Sequence, residues 1–109
     1  MQGNYKTWEQ LLTDLNIIYE IPKDLMSVLF LIGIQEAGSG FKKYSQAEKT
    51  EIIKTAHIRL LSREKYYLNI STNKSNFPVW VENKEKQLPA GKNLVKLLQS
   101  LSLDYFNEY

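Results

Sequence analysis

The feature that most limits how this chain can fold is the run Leu25-Met-Ser-Val-Leu-Phe-Leu-Ile-Gly-Ile34, interrupted only by Ser27 and Gly33. A membrane-spanning helix needs about 20 such residues, so this stretch is too short to cross a bilayer. A helix apolar on every side must instead lie at the centre of a core, or be covered by a partner as well. Pro22 stands where prolines start helices, and Asp24 would complement the dipole of the first turn. The second helix is therefore expected over Pro22–Ala37, ended by Gly38 and Gly40.

The remaining elements must enclose that helix. Thr7 with Gln10 forms a capping-box pattern, followed at helical spacing by Trp8, Leu11, Leu12, Leu15, Ile18 and Tyr19. Ser45-Gln-Ala-Glu48 is a cleaner capping box and opens a third helix reaching about Arg63. Its apolar face is read as Ile52, Ile53, Ala56, His57, Leu60 and Leu61, with Glu48, Glu51, Lys54, Thr55, Arg59 and Ser62 opposite. Tyr66–Ile70 and Phe77–Glu82 alternate with period two and are rich in β-formers. They predict an antiparallel hairpin with Tyr66, Leu68 and Ile70 on one face, joined by six polar residues, Ser71–Asn76. Pro78 gives no ladder hydrogen bond, so its strand needs a free side. After Leu88-Pro-Ala-Gly91, a last helix carries Leu94, Leu97, Leu98, Leu101, Tyr105 and Phe106. The expected class is mainly α with a β-hairpin (α+β): three helices, a hairpin and a C-terminal helix. The 109 residues suit a single domain, 1–109.

Charge is unevenly spread along the chain. Residues 1–41 carry two bases against five acids, residues 42–74 eight against three, and residues 75–109 four against four. The basic middle could meet nucleic acid or another acidic partner, or pack beside the acidic first third. With no Cys and one His, the chain lacks thiolate metal sites, thiol nucleophiles and any site needing two imidazoles. No catalytic nucleophile, base and orienter can be assembled from spacing, so no enzyme activity, metal or cofactor is expected. The start of the sequence shows no basic stretch followed by an apolar one, which points to a cytoplasmic protein.

A few residues stand out as binding candidates. His57 lies on an apolar face, where a histidine is usually a core residue, and Gln35 and Glu36 end the apolar helix. Were the second and third helices antiparallel, Glu36 would sit near the start of the third, with His57 about three turns further along. That spacing opposes an acid–base pair. Lys42 and Lys43 precede a helix N-terminus that could hold an anion. Trp80, on the hairpin beside Lys74, is either a stacking surface or a clamp onto the helices.

The element order resembles that of winged-helix proteins over roughly Thr7–Tyr109. The resemblance implies the third helix as reader, the hairpin as wing and the fourth helix as a dimer contact. Two departures oppose DNA reading: the long Gly38–Ser45 connection, and Glu48 and Glu51 among Lys54 and Arg59 on the outer face. Separately, Leu29-Phe-Leu-Ile-Gly-Ile-Gln-Glu36, followed by Glu48-Lys49 and His57, resembles short uncharacterised bacterial proteins with an apolar helix ending in Gln-Glu and a Trp in a C-terminal hairpin. It marks Gln35, Glu36, His57 and Trp80 as the residues to examine. The expected function is a non-enzymatic interaction module, a homodimer using its second or fourth helix, with itself or another protein as partner. The alternative is a winged-helix-like nucleic-acid binder working through residues 42–74.

Overall fold

The computed structural model describes residues 4–38, 40–72 and 78–108. Four helices and one hairpin follow in order: α1 (Trp8–Tyr19), α2 (Leu25–Ala37), α3 (Gln46–Arg63), β1 (Tyr67–Thr72), β2 (Pro78–Glu82) and α4 (Gly91–Glu108). This is the mainly helical α+β class that hydrophobic periodicity predicts. Among the described residues, no helix is long and apolar enough to cross a membrane.

Local chemistry sets each boundary. The Thr7 hydroxyl accepts from Gln10 N at 3.1 Å and starts α1. α2 begins three residues later than Pro22 suggests, because Asp24 is its N-cap and accepts from Ser27 N at 2.8 Å. A side-chain acceptor at the N-cap satisfies an otherwise orphaned amide, which proline at the first position does not do. Gly38 ends α2 at φ 64°, a left-handed conformation natural to glycine. At the start of α3, Ser45 and Glu48 cap each other reciprocally, at 3.2 and 2.9 Å.

α3 ends in a Schellman motif. Tyr66 N donates to Leu61 O, Lys65 N donates to Ser62 O, and Lys65 takes φ 63°. That motif uses up Lys65 and Tyr66, so β1 starts at Tyr67 rather than Tyr66. It runs on through Ser71 and Thr72, which sequence chemistry assigns to the turn. The pairs are Tyr67 with Glu82, Leu68 with Val81 and Asn69 with Trp80, and then the register shifts before Ser71 pairs with Val79. Phe77 and the tip residues Asn73–Asn76 lie outside the described residues, as does the side chain of Ile70.

α2 is the core element. Val28, Leu29, Leu31 and Ile32 are buried among Leu11, Leu12 and Leu15 of α1, Ala56, Leu60 and Leu61 of α3, and Leu98, Leu101, Tyr105 and Phe106 of α4, and Ile34 is buried as well. The closest approach is at Gly33, where an added Cβ would stand 2.2 Å from the Ile52 carbonyl oxygen. Glycine is thus required by contact between two helix backbones, not by a turn.

A second contact between α2 and α3 lies beyond it. Three residues past Gly33, Glu36 pairs with Arg59 at 3.5 Å, and Arg59 lies seven residues past Ile52. In an antiparallel pair the two would sit about 15 Å apart along the axes. The ion pair therefore departs from a strictly antiparallel pairing, while Ala37 and the start of α3, Ala47 and Glu48, still line one groove.

The chain's ends are fastened to each other. Tyr5 N donates to Asn107 Oδ1 at 2.7 Å, and Asn107 Nδ2 donates to Tyr5 O at 2.9 Å. The Tyr5 hydroxyl donates to Asp14. Arg63 pairs with Glu108 at 2.9 Å, and its guanidinium lies 5.3 Å from the Tyr105 ring centroid.

Candidate functional site

Two of the candidate residues, Glu36 and Trp80, converge through a third residue that the periodicity analysis assigned to solvent. The Arg59 guanidinium meets Glu36 at 3.5 Å and lies 5.6 Å from the centroid of the Trp80 ring. One cation thereby joins the end of α2, the last turns of α3 and the middle of β2. Trp80 is half-buried. The clamp reading of Trp80 therefore has a definite partner, an arginine over its ring.

Only its spacing from Ile52 could have marked Arg59 in the sequence. It follows Ile52 by seven residues, which at 100° per residue places the two within about 20° of one another. Dividing α3 into an apolar and a polar face separated two residues that share one line along the helix. Ile52 on that line meets Gly33, and Arg59 meets Glu36.

The other candidates lie elsewhere. His57 precedes Arg59 by two residues, roughly 200° around the helix. It is half-buried on the far side from Glu36, and burial pushes its pKa below the usual 6.5. Glu36 and His57 therefore do not form an acid–base pair. Gln35 is exposed, and its backbone carbonyl accepts from Gly38 N at 3.3 Å.

The helix N-terminus behind Lys42 and Lys43 is already occupied by the chain. Glu48 is held below the usual carboxylate range by hydrogen bonds from the Ser45 backbone and hydroxyl. With that carboxylate in the first turn, the place for an external anion is taken. Lys42 Nζ lies 5.4 Å from the Tyr44 ring centroid, and Lys43 is exposed. Beside them, a groove of ≈ 440 Å³ is lined by Ala37, Tyr44, Ala47, Glu48 and Glu51, among others. Its two carboxylates oppose phosphate binding. Lys74 lies outside the described residues.

The hairpin also presents apolar side chains, although Ile17 (70%), Phe41 (65%), Met26 (56%) and Ile18 (47%) are more exposed. Leu68 and Val81 form a direct cross-strand pair and are 38% and 37% exposed. Strand alternation places them on the face opposite Tyr67 and Trp80, hence away from Arg59. Sequence periodicity grouped Tyr66, Leu68 and Ile70 on one strand face without saying which face the helices cover. At the hairpin base, Asn83 N donates to Tyr66 O at 2.9 Å and Asn83 Nδ2 to Lys65 O at 2.8 Å. Lys86 Nζ donates to Glu64 O and lies 4.3 Å from the Tyr66 ring centroid. A cleft of ≈ 400 Å³ opens there, lined by Tyr66, Tyr67, Glu82 and Lys84, among others.

No protein-family model, curated protein or solved structure matches the chain. The winged-helix likeness therefore remains one of element order. Among the described residues, no three side chains of metal-ligating type gather in one place.

Proposed function

We propose that this chain is a non-enzymatic protein-interaction module that acts as a homodimer, with the hairpin as its contact surface. The observation that carries this reading is the Leu68–Val81 pair, an apolar cross-strand pair presented to solvent. Its mounting supports the same reading, because Arg59 over Trp80 and the Asn83 and Lys86 contacts hold the opposite face and the base. A rigidly mounted surface loses less conformational entropy on binding than a free ribbon. The second helix, apolar all round, has its surface taken up inside the chain, with Met26 the exception at 56% exposed. The hairpin is preferred to the second or fourth helix because Leu68 and Val81 stand side by side, whereas α2 offers Met26 and α4 offers Val95 singly as exposed large apolar side chains. Light scattering on a size-exclusion column tests the proposal: the expected mass is twice 12.7 kDa, and a monomer at high concentration overturns it.

Nucleic-acid binding through residues 42–74 has weaker support. Arg59 and Arg63, the chain's two arginines, are engaged with Glu36 and Glu108. Arginine is the side chain best suited to bidentate base contacts. If this second reading held, duplex binding would weaken steeply with salt and on neutralising Lys42 and Lys43.

A further inference from the structure

We infer that the segment preceding α1 is a clasp whose docking on α4 steadies the root of the hairpin, so that the proposed contact surface is regulated from a distant part of the chain. Only the last step, from hairpin root to dimer, rests on the homodimer reading above. The grip is specific. Tyr5 N donates to Asn107 Oδ1 at 2.7 Å, and Asn107 Nδ2 donates to Tyr5 O at 2.9 Å. One side chain thus satisfies both backbone groups of one residue, as a neighbouring strand would. The Tyr5 hydroxyl donates to Asp14, and Lys6 N donates to Gln10 Oε1 at 2.8 Å, so the same segment is tied to α1.

From Asn107 the contacts continue to the hairpin without a gap. The next residue, Glu108, pairs at 2.9 Å with Arg63, the last residue of α3. Just beyond Arg63, Glu64 O accepts from Lys86 Nζ, Lys65 O from Asn83 Nδ2 at 2.8 Å, and Tyr66 O from Asn83 N at 2.9 Å. The clasp is the part of this path that opens most readily. Asn4, Lys6 and Thr7 are exposed and Tyr5 is half-buried, and a segment held by polar contacts near solvent opens locally at a lower free energy than a buried core. Tyr105 and Phe106 anchor α4 in the core, whereas Asn107 and Glu108 lie past the last buried residue. Once the clasp releases, those two residues fray, because the last carbonyls of a helix have no intrahelical partners. Glu108 then leaves Arg63, and the turn that roots β1 loses its support from α4. Docked and released clasp are the two discrete states that such coupling requires.

Amide hydrogen exchange of Asn107→Ala beside the unaltered chain, at a dilution where the chain is monomeric, tests the coupling apart from any dimer. The variant deletes both bonds to Tyr5 and leaves Glu108, Arg63 and Asn83 in place. The Tyr5 amide is expected to exchange about tenfold faster. The Tyr66 and Asn83 amides should exchange about threefold faster, while amides of α2 keep their rates. Tyr5→Pro removes the donor from the other side of the grip, leaves α4 unaltered, and should reproduce the effect at Tyr66 and Asn83. In an Arg63→Ala background, where the path is already cut, Asn107→Ala should change neither amide. Unaltered rates at Tyr66 and Asn83 beside a faster Tyr5 overturn the coupling and leave the homodimer reading standing. Faster exchange throughout α2 in both clasp variants overturns it too, since the effect is then global. At higher concentration Asn107→Ala should raise the dimer dissociation constant about threefold. A strictly monomeric unaltered chain overturns the homodimer reading and leaves the coupling at the hairpin root standing.

Discussion

The helical part and the hairpin of this chain are held in place by different means. α2 is surrounded on its apolar sides by α1, α3 and α4, and its position is fixed by backbone contact at Gly33. The hairpin is held by polar and cation–aromatic contacts at its base and middle: Asn83, Lys86 and the Arg59–Trp80 pair. Buried apolar contact with no room to relax gives a stiff scaffold, whereas a ribbon held on one face leaves its other face and one edge free. On the proposed reading, the helices carry stability and the hairpin carries recognition. Substitutions in the two regions should accordingly give different phenotypes.

The largest effect is expected at the α2–α3 contact. Gly33→Ala places a methyl against the Ile52 carbonyl and must force the helices apart. A loss of about 3 kcal/mol, at the upper end for overpacking, is expected in denaturant melts. A loss under about 0.5 kcal/mol would show that the crossing is loose and the contrast with the hairpin is wrong.

Next come two substitutions that should stabilise the helical part. The Ser102 hydroxyl is fully buried and without a hydrogen-bond partner among the described residues, so Ser102→Ala should gain about 1 kcal/mol. Lys65 holds a left-handed conformation at the end of α3, and Lys65→Gly should gain about 0.5–1 kcal/mol. Thermal melts check both. Either residue, if destabilised by the change, has a role that helix geometry does not describe.

Smaller again is the Arg59–Trp80 coupling. Arg59 is 45% exposed, so solvent weakens both its ion pair with Glu36 and its contact with Trp80. A double-mutant cycle of Arg59→Ala and Trp80→Ala should give a coupling of about 0.5 kcal/mol. Dimer formation should weaken while the helical signal stays. Zero coupling would detach the hairpin from α3.

Smallest are the pH effects. His57 has its pKa lowered by burial, so the unfolded chain takes up the proton first. Stability should hold above pH 6.5 and fall as pH drops from there through the lower native value, a decline that His57→Gln should flatten. Tyr5, pushed up to about 12 by burial and by Asp14, has the opposite sense: its contribution is complete below pH 10 and is lost as pH rises towards 12. Tyr5→Phe should remove that alkaline loss.

What was legible in the sequence followed from local rules. Capping chemistry at Thr7 and Ser45, period-two alternation before and after the polar turn, and the α4 leucine stripe each correspond to an observed element. Their signals lie within a few residues of the structure they specify. The α2–α3 arrangement was not legible in that way, because Gly33 acts through Ile52, nineteen residues on. Nor was the site. Arg59 looks solvent-facing when polarity alone sorts a helix, and only its seven-residue spacing from Ile52 places it toward Glu36. Leu68 illustrates the same limit: alternation shows that a strand has two faces but not which face the helices cover.

The most direct test of the hairpin as the contact surface is sedimentation equilibrium of the unaltered chain beside the double variant Leu68→Lys, Val81→Lys. The account predicts a dimer for the first and a monomer for the second, with equal helicity. A monomeric unaltered chain, or a double variant that dimerises as tightly as the original, would contradict it.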